Sequence, residues 1–406
     1  MKCFEIYGEK MNEKKIAFIT AVSNDVQYDE CQYYINRLGK PEDYIIEKIA
    51  IRNATSLCSA YNQAMKQTDA KYKIYLHQDV LIRNMNFIFD LLNIFEDESI
   101  GLVGMVGGTD MPQNGICFAT FNTGSVDARE PGISYWMREK HYTGGRDVIA
   151  VDGLLMATQV DIKWREDLFK GFHYYDISQS FEMIRAGYRV YVPDQKKPWV
   201  IHHCNFANLI QYEKMAEILK AEYSDFLTLE GTGRPSENYE QLHFISEQLV
   251  KLINPMIKEG QWDEISTIIE QYKAVNFEDN KLEIIALICE IYNREKKACG
   301  ESIFVHGEDM ESLFEKYRKC VYGIIKFELD MPQEDNKWFV ERIVSGEISV
   351  EAIIVFLIKI AVERKIVFDK ICKIYLVSEK LEDLQKMLSL KDIIERSQMA
   401  YGYTIY

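Results

Sequence analysis

A chain of 406 residues with 47% hydrophobic and 27% charged side chains has ordinary globular composition and room for two or three domains, which excludes disordered and fibrous architectures. Its 48 basic and 63 acidic residues leave a formal charge of −15, about −4 of it in residues 1–206 and about −11 in residues 207–406. That acidity argues against nucleic acid or an anionic membrane as the main partner.

The first 25 residues mix Glu5, Glu9, Lys10, Glu13, Lys14 and Lys15 with apolar positions, so no secretory signal is expected. Lys15 to Val22 reads as a short buried strand ending in Ser23-Asn24-Asp25, and Tyr28 to Leu38 follows with helical spacing. Glu42 to Ile51 predicts a second strand, Ser56 to Gln67 a helix, and Tyr72 to His77 a third strand that runs straight into Gln78-Asp79. A helix over Met85 to Phe95 and a strand over Ile100 to Val106 continue the alternation. Such a series implies an α/β domain with a mostly parallel sheet covered on both faces, its ligands lying beyond the carboxyl ends of the strands.

Residues 107–150 are rich in Gly, Asn, Asp and Thr and show little periodicity, so they are expected to form a lid over a ligand, with Tyr135-Trp136 and Gly144-Gly145 in it. Regular structure resumes over Val148 to Ala157, through Asp152-Gly153. From about Asn208 the pattern is almost purely helical, broken by Pro235, Pro255 and Pro332, and the expected division is residues 1–206 and an all-α domain over 207–406. The helical domain reads as an irregular bundle or short repeat array, suited to packing, docking or self-association. The longest apolar run near the C-terminal end, Ile353 to Val362, is interrupted by Lys359 and falls short of the roughly 20 residues a spanning helix needs, leaving at most peripheral membrane association. Nine scattered cysteines without a C-x-x-C pair suit a reducing, cytoplasmic setting, in which the Asn53-Ala-Thr55 sequon is chance.

Three polar elements of the α/β half bear on chemistry: His77-Gln78-Asp79 after a strand, Asp176 within Gly171 to Ser178, and His202-His203 after Trp199-Val-Ile201. Each alone is as readily a turn former or a surface group. Together they supply a hard oxygen ligand, an imidazole and a separate carboxylate, enough to hold a divalent cation and leave one base. In the order and spacing of these motifs, residues 15–206 resemble a GT-A fold glycosyltransferase of the family 2 type, in particular the bacterial branch whose metal motif reads H-Q-D-V, here Leu76-His77-Gln78-Asp79-Val80.

The resemblance implies Mn²⁺ or Mg²⁺ on Asp79, with His77 in place of the first acid, and His202 or His203 completing the site. Asp176 stands eleven residues before Gly187 of Arg185-Ala-Gly-Tyr-Arg-Val190, which makes it the counterpart of the base of an inverting transfer, with Tyr175 where the family has Glu. The donor, expected to be a UDP-sugar, would lie along Ala21, Val22, Ser23 and Asn24, with Asn53, Asn62, His77, Asp152 and Gly153. Trp164, Phe172 and His173 are candidate acceptor contacts, the acceptor being a hydroxyl on a cell-surface glycan intermediate or a protein. A nucleotidyltransferase is disfavoured because Thr20 to Asp25 offers neither glycine nor a basic residue for phosphates. The competing reading is a degenerate, non-catalytic transferase domain that binds sugar nucleotides or recruits partners.

Overall fold

The computed structural model describes residues 11–117, 120–128, 144–196, 198–202, 211–230, 239–273, 280–304, 307–329, 333–359 and 364–394. Two compact units divide the chain, one ending at Tyr239 and the other continuing from Glu240. The first opens with β1 (Asn12–Val22), α1 (Asp25–Asn36), β2 (Ile45–Arg52), α2 (Leu57–Met65), β3 (Ala70–Leu76), β4 (Val80–Ile82), α3 (Phe87–Ile94) and β5 (Ile100–Gly104). Short strands β6 (Val106–Gly108), β7 (Thr123–Gly124), β8 (Asp127–Ala128), β9 (Arg146–Val148) and β10 (Ala150–Val151) lead to β11 (Leu155–Thr158). Then come α4 (Tyr175–Arg185), β12 (Arg189–Val192), β13 (Val200–His202) and α5 (Tyr212–Tyr223).

Seven strands form the main sheet in the order β2-β1-β3-β11-β5-β12-β9. Because side chains alternate across a strand, Ile16 and Phe18 of β1 join Ile74 and Leu76 of β3 on one face, packed with Cys31 and Ile35 of α1 and Phe87 and Leu91 of α3. Ala17, Ile19 and Tyr75 point to the other face and meet α2, α4 and α5. Burial on both faces is why β1 reads as an unbroken apolar run.

The sheet is less parallel than its sequence suggests. The pairs β1–β2, β1–β3 and β5–β12 are parallel, whereas β11 runs antiparallel between β3 and β5 and β9 runs antiparallel to β12. After β10 the chain turns at Asp152-Gly153 directly into β11, and a parallel strand would have required a crossover element there.

The segment expected to form a lid is described only toward its two ends. Strands within 106–117 and 120–128 join β10 and β13 in two small sheets, β10-β6-β7 and β4-β13-β8, residues 146–148 enter the main sheet as β9, and Met111, Cys117 and Val126 are buried. These segments brace the strand ends, and Gly144-Gly145 leads into β9 beside Tyr191, whose hydroxyl would stand 2.2 Å from a Cβ at Gly145. Tyr135-Trp136 lie outside the described residues. The α/β unit also runs past residue 206: Tyr212, Ala216, Leu219 and Tyr223 of α5 belong to its core.

The second unit contains α6 (Tyr239–Glu259), α7 (Trp262–Lys273), α8 (Asn280–Cys299), α9 (Met310–Glu328), α10 (Lys337–Ser345), α11 (Val350–Lys359), α12 (Arg364–Val377) and α13 (Leu381–Ser389). It is all-α among the described residues, with α7 and α11 both packed on α8 and α12 on α9 and α13. Trp262 is fully buried against Tyr292, their ring centroids 5.1 Å apart. Pro255 does not break the chain into two helices; it is carried inside α6, one turn from its end. Pro235 and Pro332 lie outside the described residues. No described helix is long and apolar enough to cross a membrane.

Candidate functional site

Backbone register places the polar groups. β3 ends at Leu76, so His77, Gln78 and Asp79 emerge together before β4 begins at Val80. β13 pairs antiparallel with β4 with His202 opposite Val80, and on its other side His202 pairs with Ala128 of β8. His202 is therefore delivered beside Asp79 from 123 positions along the chain. His77 Nδ1 lies 3.4 Å from His202 Nε2, which lies 3.5 Å from Asp79 Oδ1. All three donor atoms fall within 4.8 Å of one another.

That spacing suits a cation. Ligands about 2.1 Å from one ion at right or tetrahedral angles stand about 3.0–3.4 Å apart. Burial holds the His77 imidazole below its ordinary value against the pull of the Asp79 carboxylate, so it is neutral and able to ligate near pH 7. Among the described residues this is the group of His, Cys, Asp and Glu side chains with ligand spacing. The structure thus brings His77 within ligand spacing of Asp79 and His202; His203 lies outside the described residues.

The second carboxylate sits at the start of α4. Asp176 Oδ2 accepts the Gly153 N–H at 2.9 Å and Oδ1 accepts the Ile177 N–H at 2.9 Å. Burial, reinforced by the Asp152 carboxylate, pushes Asp176 up to about 7, and those backbone donors only partly offset it. Asp152 Oδ1 accepts the Leu154 N–H at 2.9 Å, while the Leu154 carbonyl accepts the His77 N–H at 3.0 Å. The turn 152–154 therefore touches both the start of α4 and the end of β3. Tyr175 closes the circuit, its hydroxyl 2.6 Å from His77 Nε2. Its ring lies so close to Gly153 that a Cβ there would be 2.0 Å from the hydroxyl, which explains the glycine.

Two connections were not visible in the sequence. Gln78 bridges the end of β1 to the metal turn: its Oε1 accepts the N–H groups of Ser23 and Asn24 at 2.8 and 2.9 Å, and its Nε2 donates to Ser23 Oγ at 3.0 Å. The signal was its place between His77 and Asp79. In the sequence Tyr175 stands only where the family has an acid. Asn24 also caps α1, accepting from the N–H groups of Val26 and Gln27. Ala21 is half-buried and Val22 buried, so Ser23 and Asn24 are the exposed part of that strand end. Asn53 is exposed after β2 in the left-handed region, at φ 56°.

Two expected contacts are corrected. Asn62 is buried and holds the backbone of Trp164: its Nδ2 donates to the Trp164 carbonyl and its Oδ1 accepts the Trp164 N–H, both at 2.9 Å. Trp164 is 1% exposed, its ring 4.8 Å from those of Tyr61 and Tyr75. Both are core residues, because an indole with that many aromatic neighbours gains more from burial than from solvent. Asn62→Ala is expected to lower stability by about 2–4 kcal/mol, since it strands two backbone groups, and to leave the donor KM unchanged. Thermal denaturation with steady-state kinetics checks this; a raised donor KM in a fully folded variant would return Asn62 to the site. Phe172, by contrast, is 54% exposed, and His173 stacks edge-on against Tyr212 at 5.3 Å.

Comparison with known proteins adds the following. Residues 17–223 match the model of a glycosyltransferase-like family. Streptomycin biosynthesis protein StrF of Streptomyces griseus is 31% identical over 162 residues, which cover 38% of this chain and 54% of that protein. The chain thus spans about half the length of the curated relative it matches. Among solved structures, S. aureus TarS 1–349 in complex with UDP is similar at a TM-score of 0.33 and 9% identity, over 93% of this chain and 91% of that one. The mannosyltransferase PcManGT from Pyrobaculum calidifontis, in complex with GDP-Man and Mn²⁺, has a TM-score of 0.28 and 11% identity over 46% of this chain and 58% of its own.

Proposed function

The chain belongs to the glycosyltransferase-like family, and from that premise we propose that its α/β unit is a cation-dependent, inverting transferase that moves a sugar from a nucleoside-diphosphate donor to a hydroxyl acceptor. The observation that carries the reading is the convergence of His77, Asp79 and His202 at one strand end. These three would hold Mn²⁺ or Mg²⁺, which when bound supplies positive charge to the departing diphosphate. Ser23 and Asn24 lie at the end of β1, joined to the cation turn by Gln78, where the nucleotide would rest.

Asp176 is the proposed base. Two backbone N–H groups fix its carboxylate, and an elevated proton affinity suits it to take a hydroxyl proton near neutral pH. Attack assisted from the face of the sugar opposite the diphosphate inverts the anomeric centre. Exposed Phe172 could meet the acceptor, a glycan intermediate or a protein. A UDP-sugar remains the proposed donor.

Calorimetric titration of UDP, GDP and their sugar conjugates, with and without Mn²⁺, tests the reading. One nucleotide is expected to bind at least about tenfold more tightly with Mn²⁺ present, which is about 1.4 kcal/mol. If none binds to the folded protein under either condition, the transferase reading fails and a partner-recruiting role takes its place.

A further inference from the structure

The His77 imidazole is engaged at both ends. Nδ1 faces His202 Nε2 at 3.4 Å, beside Asp79, and Nε2 faces the Tyr175 hydroxyl at 2.6 Å. A neutral imidazole carries one N–H, and the nitrogen that binds a cation must be the bare one. We propose that Tyr175 is the positioning residue of the cation site: its hydroxyl accepts the His77 Nε2–H and so aims the Nδ1 lone pair at the ion. The inference rests on the cation reading above.

The phenol is well placed for this duty. Tyr175 is buried, and its phenol hydroxyl can both accept and donate. Its ring is held between the Gly153 backbone and the rings of Tyr61 and Trp164, with centroids 5.9 and 6.2 Å away. The preceding residue, Tyr174, takes a left-handed conformation at φ 61°, and its hydroxyl donates to the Gly115 carbonyl at 3.0 Å. That strained step fixes where α4 begins and hence where the phenol points. An outer partner of this kind fixes the tautomer and ring orientation of a ligating histidine, and its loss typically lowers metal affinity 10- to 100-fold. Since Asp176 is the next residue, one helix start orients both the cation ligand and the proposed base.

The test uses the full chain and Mn²⁺ as the probe. Free Mn²⁺ is followed by electron paramagnetic resonance during titration of wild type, Tyr175→Phe and Asp79→Ala, with the thermal midpoint of each metal-free protein recorded. Tyr175→Phe keeps the ring and is expected to bind Mn²⁺ about 10- to 100-fold more weakly at an unchanged midpoint. Wild-type affinity in Tyr175→Phe, together with loss in Asp79→Ala, would overturn the inference and leave the cation site standing. No Mn²⁺ binding by wild type would overturn both. A second readout needs no variant: long-range ¹H–¹⁵N correlation of the metal-free histidine rings should show His77 as the Nε2–H tautomer. An Nδ1–H tautomer there would refute the role of Tyr175.

Discussion

Asp176→Asn is expected to lower kcat by about 10²- to 10⁴-fold while donor affinity stays within about twofold, because the amide keeps the shape of the side chain and loses only its capacity to take a proton. The wild-type pH profile provides the independent check. Burial first, and the Asp152 carboxylate second, raise Asp176 to about 7, and only the ionised carboxylate can act as a base. The sign follows directly: kcat should be nearly level above pH 7 and fall about tenfold per unit below it. Asp152→Asn removes the neighbouring negative charge and should shift that fall to lower pH. A profile level from pH 5 to 8 in wild type, or an Asp176→Asn variant with near-normal turnover, would remove Asp176 from the proton transfer.

Asp79→Ala should have a comparable effect through a different observable. Asp79 is the carboxylate of the proposed cation site, so its loss should weaken Mn²⁺ by more than the 10- to 100-fold typical of an outer-shell partner. With the ion gone, the developing diphosphate charge loses stabilisation of several kcal/mol, a fall in kcat on the order of 10³-fold. Donor binding measured in Mn²⁺ should then match binding measured without it. His202→Ala leaves the carboxylate and His77 in place and is expected to be milder. Mn²⁺-enhanced donor binding that survives in Asp79→Ala would place the cation elsewhere.

The two variants separate two jobs that the fold keeps close together. The proposed base, Asp176, stands at the start of α4, and Asp79 of the proposed cation site in the turn between β3 and β4, with Tyr175 and the turn 152–154 joining them. An Asp176 variant should retain the metal response, and an Asp79 variant should lose it.

Much of this arrangement was legible in the residues. The run Ile16–Ile19, the helical spacing from Tyr28 and the ending of β3 in His77-Gln78-Asp79 fix an α/β series, because the periodicity of a strand or helix depends on neighbours in the chain. The step from Asp176 to Gly187 spans one helix, α4, and so was readable for the same reason. The resemblance implied His202 or His203 beside Asp79, but the pairing that joins such distant segments was not readable from local pattern. The β4–β13 register sets His202 beside Asp79, and His77 meets His202 across 125 positions; both depend on strand pairing that no local pattern encodes. The antiparallel insertion of β11 and the bracing of residues 106–128 into small sheets are likewise decisions of long-range pairing. Asn62 and Trp164 show the remaining limit. A polar amide and an indole look like ligand contacts in sequence, and only the tertiary fold, by satisfying the amide against the Trp164 backbone and enclosing the ring in other aromatics, makes them core.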